Sequence, residues 1–162
     1  HLCISTLHAN NSYHSLSRIV NFFPQEIRES LLYDLSTSLK AIVSQRLVRG
    51  KDGKLKPAVE IMINTNYIAE LIRNGQLVDI KEAMEKTLAE GSQTFEQALY
   101  RMFKSGDVDL DEALRHADSA SNLSWMINNA QTVDEQEQEK KAVAEQKKKD
   151  ADPMMDFDIS LH

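Results

Sequence analysis

Asp52-Gly53 lies between two β-prone runs, Arg46 to Arg49 and Leu55 to Ile63. Asp-Gly supplies the backbone freedom that a tight turn between paired strands requires, so "QRLVRGKDGKLKPAVEIMI" predicts a β-hairpin. On both sides of this stretch the apolar residues recur at helical spacing. The chain is therefore a mixed α/β one, with a hairpin set between helical segments.

Upstream, Tyr13, Leu16, Ile19, Val20 and Phe23 mark a short amphipathic helix from Ser12 to Phe22, closed by Pro24. Pro24 also suits the first turn of the next helix, where Glu26 and Glu29 face the positive end of the helix dipole. From there Ile27, Leu31, Leu35, Leu39, Ile42 and Val43 form one apolar stripe, which predicts a long core-packing helix running up to the hairpin.

Downstream, Asn64, Thr65 and Asn66 offer caps for "YIAELIRNG", a short helix with Ile68, Leu71 and Ile72 inward and Gly75 at its end. A further helix runs from about Val78 to Glu90 and stops at Gly91. Thr94 caps a helix whose Phe95, Leu99, Met102 and Phe103 share a face. Gly106 breaks it, Asp109 caps "LDEALRHA", and Ser121 caps "NLSWMINNA". Three short helices are not stable singly and must pack on one another and on the hairpin region, with Trp125 and Met126 as anchors.

The first residues, "HLCISTLHANN", read as a strand buried on both faces, followed by cap chemistry at Asn10, Asn11 and Ser12. His8 then falls at a strand's C-terminal end, where open α/β sheets bind ligands. It is either a ligand contact or a histidine that satisfies a neighbouring backbone group. A start within a strand, without methionine, predicts a C-terminal piece of a longer protein. From about Gln131 to Asp152 the chain is charged and poor in large apolar residues, which predicts a solvated, flexible tail. The last stretch, "PMMDFDISLH", is either a docking peptide or an unselected terminus.

At 162 residues and 41% apolar, the chain can bury a core. No run is long enough to span a bilayer, and no signal-peptide pattern occurs. The net charge of −6 argues against general nucleic-acid binding. Cys3 is the single cysteine, so no internal disulfide can form; its apolar surroundings predict a buried, inert thiol. His1, His8 and His14 have no Cys or Glu at ligand spacing, and no zinc or other metal site is predicted. No Gly-rich phosphate loop is present.

Taken in order, "HLCISTLHANN", "RIVNFFPQEIRESLLYDLSTSLKAIVSQRLV" and "AVEIMINT" resemble the secretion and type IV pilus ATPase superfamily. The resemblance rests on a histidine-box strand, an F-P turn, a long helix ending in S-Q-R-L and an E-I-M-I strand, and covers roughly residues 1 to 130. Two features resemble the retraction branch. The connection "RGKDGKLK" is short and lacks the paired thiolates of the zinc loop found in many assembly and export members. "YIAELIRN" follows the branch's A-I-R-N-L-I-R-E helix at Ile68, Leu71, Ile72 and Arg73, but has Ala69 and Asn74 where that pattern has Arg and Glu.

The resemblance implies the C-terminal part of a RecA-like ATPase core over residues 1–63, a helical subdomain over 64–130 and a tail over 131–162. It implies a homo-hexameric cytoplasmic motor, peripheral to the inner membrane, that uses ATP and Mg²⁺ to drive pilus retraction. Its partners would be a related retraction ATPase and the inner-membrane platform protein. His1 and His8 match the histidine box as catalytic residues, with His8 and Thr6 at the nucleotide; Arg73, Ile68, Leu71 and Ile72 match the motor helix. The phosphate-loop Lys and Walker B acid fall outside these residues, so the segment alone is expected not to hydrolyse ATP. Two other readings stand beside it: a helical protein-interaction module, and an assembly or type II secretion ATPase of the same superfamily.

Overall fold

The computed structural model describes residues 1–86, 89–130, 132, 138, 142 and 143. The predicted charged tail, apart from those last positions, and the whole of "PMMDFDISLH" lie outside the described residues.

The hairpin forms as predicted and is longer than predicted. Strand β1 (Ala41–Arg49) pairs antiparallel with β2 (Leu55–Ile63), in register from Ala41 opposite Ile63 to Arg49 opposite Leu55. Gly53 turns the chain with φ of 77°, a conformation that costs other L residues energy. Helix α1 (Ser12–Asn21) precedes the hairpin, followed by a single 3₁₀ turn at Gln25–Ile27 and α2 (Arg28–Ser38).

The predicted long helix does not reach Val43. It ends at Ser38, and Ala41, Ile42 and Val43 belong to β1. Two sets of side-chain bonds compete at its end, one local and one from just past the end of β2. The hydroxyls of Ser36 and Thr37 donate to the carbonyl of Tyr33, and Asn64 Nδ2 donates to the carbonyls of Ser36 and Leu39 at 3.0 and 2.9 Å. Nine paired residues along β2 then outweigh the helical spacing of three apolar ones.

After β2, Thr65 caps α3 (Asn66–Arg73) by accepting from the Ile68 N–H. A 3₁₀ turn at Leu77–Asp79 leads into α4 (Ile80–Lys86). Thr94 and Gln97 form a capping box at the start of α5 (Phe95–Lys104). Helices α6 (Leu110–His116) and α7 (Ala120–Asn128) complete the described elements. Asp109 stands at the N-cap of α6 without a side-chain cap bond, and the cap of α7 is Ser119, not Ser121. Met126 is buried as an anchor, but Trp125 is 50% exposed.

The inner face of the hairpin joins two apolar clusters. Val48 and Ala58 pack with Phe95, Leu99, Val108 and Leu123 of the α5–α7 side. Met62 packs with Leu16, Ile68, Ile72, Ile80 and Met84 from α1, α3 and α4. Between them, on the same face by strand alternation, lie Ser44, Arg46 and Glu60. Polar groups in such a seam are costly unless each finds a partner.

The first segment departs from its prediction. Among the described residues it has no strand, and Leu2 and Ile4 are 80% and 86% exposed. Cys3 is exposed as well. A strand buried on both faces needs flanking strands, and the only sheet among the described residues is the two-stranded hairpin.

Candidate functional site

The segment that carries the histidines is tied down at residues 10 to 12, directly over the polar seam. Asn11 is the N-cap of α1: its Oδ1 accepts from the His14 N–H at 3.0 Å. Ser12, at the first turn, donates to Glu60 Oε1 through its N–H at 2.8 Å and its hydroxyl at 2.7 Å. Glu60 is thereby set at the positive end of the α1 dipole while only 3% exposed. Burial pushes its carboxyl above the ordinary range, the Ser12 bonds oppose that, and nearby Asp118 and Arg46 pull in opposite directions.

Arg46 is the hub of the seam. Its Nη1 donates to the His116 carbonyl at 2.7 Å, and its Nη2 to the Asn10 carbonyl at 3.0 Å and to Asp118 Oδ1. The guanidinium carbon lies 3.9 Å from the centroid of the buried Phe95 ring. The second oxygen of Asp118 accepts from Asn11 Nδ2 at 2.9 Å. One residue on, the Ser119 N–H donates to Glu96 Oε1 at 2.7 Å, an oxygen that also accepts from Lys81 Nζ at 2.8 Å.

An open cleft of about 490 Å³ lies beside this network, lined in part by Asn10, His14, Arg46, Lys81, Arg115 and His116. It is not a phosphate cradle. Arg46 pairs with Asp118, Lys81 with Glu96 and Arg115 with Glu112, whose other oxygen lies 3.2 Å from His116 Nε2. Its cations are spoken for, so the cleft offers little net attraction to an anion.

His1, Thr6 and His8 are all exposed, in the irregular segment before α1, and make no hydrogen bond to a described residue. His8 sits two residues before the Asn10 carbonyl that Arg46 holds. Ile68, Leu71 and Ile72 turn into the chain's own core, at 0%, 5% and 0% exposure. Of that helix, Tyr67, Glu70 and Arg73 face outward, and the Arg73 guanidinium lies 5.4 Å from the ring centroid of Tyr33 on α2. Among the described residues no cluster of side chains could hold a metal ion, and no helix is long and apolar enough to cross a membrane.

Sequence reasoning missed Arg46, Glu60, Asn11, Asp118 and Glu96 as a working group. Part of the signal was readable, since period two puts Arg46 and Glu60 on the same hairpin face as Val48 and Met62. Asp118 and Glu96 gave no such sign, because their partners lie 72 and 23 residues away.

A hairpin braced on helices, with residues 10 to 12 seated over its polar seam, is a fold shared with solved ATPases. It matches the crystal structure of the pilus retraction motor PilT with bound ADP at a TM-score of 0.66 and 32% identity, over 74% of this chain and 33% of that one. It matches the Yersinia pseudotuberculosis ATPase DotB at a TM-score of 0.58 and 25% identity, over 68% and 29%. The family model for type II/IV secretion system proteins covers residues 1–155, and the chain belongs to that family. The type IV pilus ATPase PilU of Pseudomonas aeruginosa is 47% identical to it over 128 residues, 78% of this chain and 34% of PilU. PilT of the same organism, a type IV pilus retraction ATPase, is 30% identical over 123 residues, 76% and 36%. The chain thus spans about a third of the length of these curated relatives.

Proposed function

We propose that this chain is part of an ATP-hydrolysing motor of the PilU kind that drives type IV pilus retraction and twitching motility. The observation that carries this is the 47% identity to PilU across 78% of the chain, against 30% to PilT. On this reading residues 1–63 belong to a RecA-like core, 64–130 to a helical subdomain and 131–162 to a tail. The complete motor is a homo-hexamer, cytoplasmic and peripheral to the inner membrane. It works with a related retraction ATPase and the membrane platform protein.

The first segment offers exposed hydrogen-bond donors of the kind that phosphate oxygens accept from. His1 and His8 carry imidazole N–H groups and Thr6 a hydroxyl, none of them engaged by a described residue. Bound ATP with Mg²⁺ would supply the scissile γ-phosphate and its charge. With nucleotide bound, His8 would be available to donate to an outer phosphate oxygen, and loss of that contact after hydrolysis would free the segment to move. The groups that stabilise phosphoryl transfer electrostatically, a phosphate-loop Lys, a Walker B acid and the Mg²⁺ ligands, fall outside these residues. The segment by itself is therefore inactive.

The test is nucleotide binding and ATP turnover by the full-length protein, wild type against His8→Ala, with oligomer mass recorded alongside. Collapse of turnover in a hexamer that still binds nucleotide supports His8 as a nucleotide-state sensor. Unchanged turnover, or no ATPase in the wild type, sinks the reading and favours a protein-interaction module. ATP turnover by the isolated segment would overturn its predicted inactivity.

A further inference from the structure

The geometry points to Arg46 and Asp118 as positioning residues that pass the movement of the histidine segment to the α6–α7 turn. This inference rests on the proposed role of His8 and goes beyond it, because it names the route by which a change at that histidine reaches the C-terminal helices.

Residues 10 and 11 are held by two different side chains. Arg46 grips the Asn10 carbonyl, and Asn11 is gripped by Asp118 through its side-chain amide. The two gripping residues are themselves joined, and both of their side chains are less than one-fifth exposed. On the far side, Arg46 holds the His116 carbonyl, the last residue of α6, while Asp118 directly precedes Ser119, the N-cap of α7. A planar guanidinium with several acceptors in fixed directions cannot follow one of them without shifting on the others. Displacement of Asn10 therefore changes the bonds to His116 and Asp118.

Among the described residues, nothing else in the seam makes the same connection. Glu60 ties α1 to β2, and Glu96 ties Ser119 to α4 and α5, but neither touches both the histidine segment and the α6–α7 turn. Arg46 also lies against Phe95, so the guanidinium has a rigid wall on one face and moves within the plane of its partners. Ionic groups that are largely shielded from water, as these two side chains are, gain little net stability against their desolvation cost, and their best-attested use is to fix one arrangement over another. A clamp that relates two segments is such a use.

The experiment compares the full-length wild type with Asp118→Asn, which keeps the shape and removes the charge, and Arg46→Lys, which keeps the charge and removes the planar fork. Hydrogen exchange is recorded with and without ATP, alongside kcat and KM. In the wild type, nucleotide is expected to change exchange in two places, residues 1–12 and 117–128. In each variant the first response persists and the second is lost. KM stays the same while kcat falls about fivefold, a size typical of mutations along a coupling element. If 117–128 still responds in both variants, or kcat is unchanged in both, the clamp is only a brace and the inference is overturned while the function reading stands. If residues 1–12 do not respond in the wild type, the role of His8 fails first and this inference falls with it.

Discussion

Glu60 on β2 receives both the backbone N–H and the hydroxyl of Ser12, 48 residues earlier in the chain, through a single carboxylate oxygen. That one oxygen anchors the start of α1, and so the end of the histidine segment, to the centre of the hairpin. Glu60→Ala leaves the Ser12 donors without a partner in a buried site and should cost about 1–3 kcal/mol. Glu60→Gln keeps an acceptor oxygen and should cost much less. Urea unfolding of the two variants orders them.

The pH dependence of that carboxyl has a definite sign. Its folded pKa is raised, chiefly by burial, so the native state holds the proton more readily than the unfolded chain does. The stability it contributes is fully present below the unfolded value and is lost as pH rises through the folded one. Asp107, held low by Lys56 and Ser105, and Glu112, held low by the Arg49 N–H, act the other way, losing stability as pH falls. A urea midpoint series across the mildly acidic range should show a declining contribution in the wild type that is missing from Glu60→Gln.

Arg46→Ala should be more damaging than Asp118→Ala. The first change strips partners from two backbone carbonyls and a carboxylate and uncovers Phe95, for about 1–3 kcal/mol. The second leaves the guanidinium its two carbonyls. Because the residues share one network, a double-mutant cycle in chemical denaturation should give a coupling of about 1 kcal/mol or more. Strict additivity would show that the pair does not act together.

Helix α5 carries a capping box that α6 lacks. Thr94 accepts from the Gln97 N–H, and Gln97 Oε1 accepts from the Thr94 N–H, so Thr94→Ala should cost about 1 kcal/mol. Asp109 occupies the same position on α6 without a side-chain bond, and Asp109→Ala should cost less. Thermal melts of the two variants give the comparison directly.

The two faces of the hairpin should respond differently to substitution. Val43 and Leu47 are 67% and 54% exposed on the outer face, and changing either to Lys should alter the stability of this chain by no more than about 0.5 kcal/mol. Leu99, packed under the inner face and 0% exposed, should cost about 2–5 kcal/mol as Leu99→Ala. Denaturant midpoints of the three variants measure the contrast, and equal losses on both faces would contradict it.

Local chemistry is legible in the sequence alone. Asp52-Gly53 marks the hairpin turn, Thr65 and Thr94 mark their helix starts, and the stripe Phe95, Leu99, Met102 and Phe103 marks a packed helix face. Each depends on residues within a few positions of one another, where side-chain and backbone groups meet whatever the rest of the chain does. The segment from Ile27 to Val43 misleads because its helical spacing is genuine up to Ser38, while the pairing that claims Ala41 to Val43 comes from Ile61 to Ile63. The α7 cap lies two residues earlier than predicted: the Ser119 hydroxyl accepts from the Asn122 N–H, and the Ser119 N–H is held by Glu96.

The sequence by itself determined the order of helices and hairpin, and its motifs carried the resemblance to secretion ATPases. Tertiary structure alone decided which polar residues share the seam. Arg46, Glu60, Asn11 and Asp118 are ordinary where each stands in the chain, and they become one network because β1 and β2 bring a single face to the point where α1 and the α6–α7 turn converge. Short-range signals specify elements, since their partners are neighbours in sequence. Burial and hydrogen bonding between distant segments depend on how those elements pack, and only the folded chain brings such partners within bonding distance.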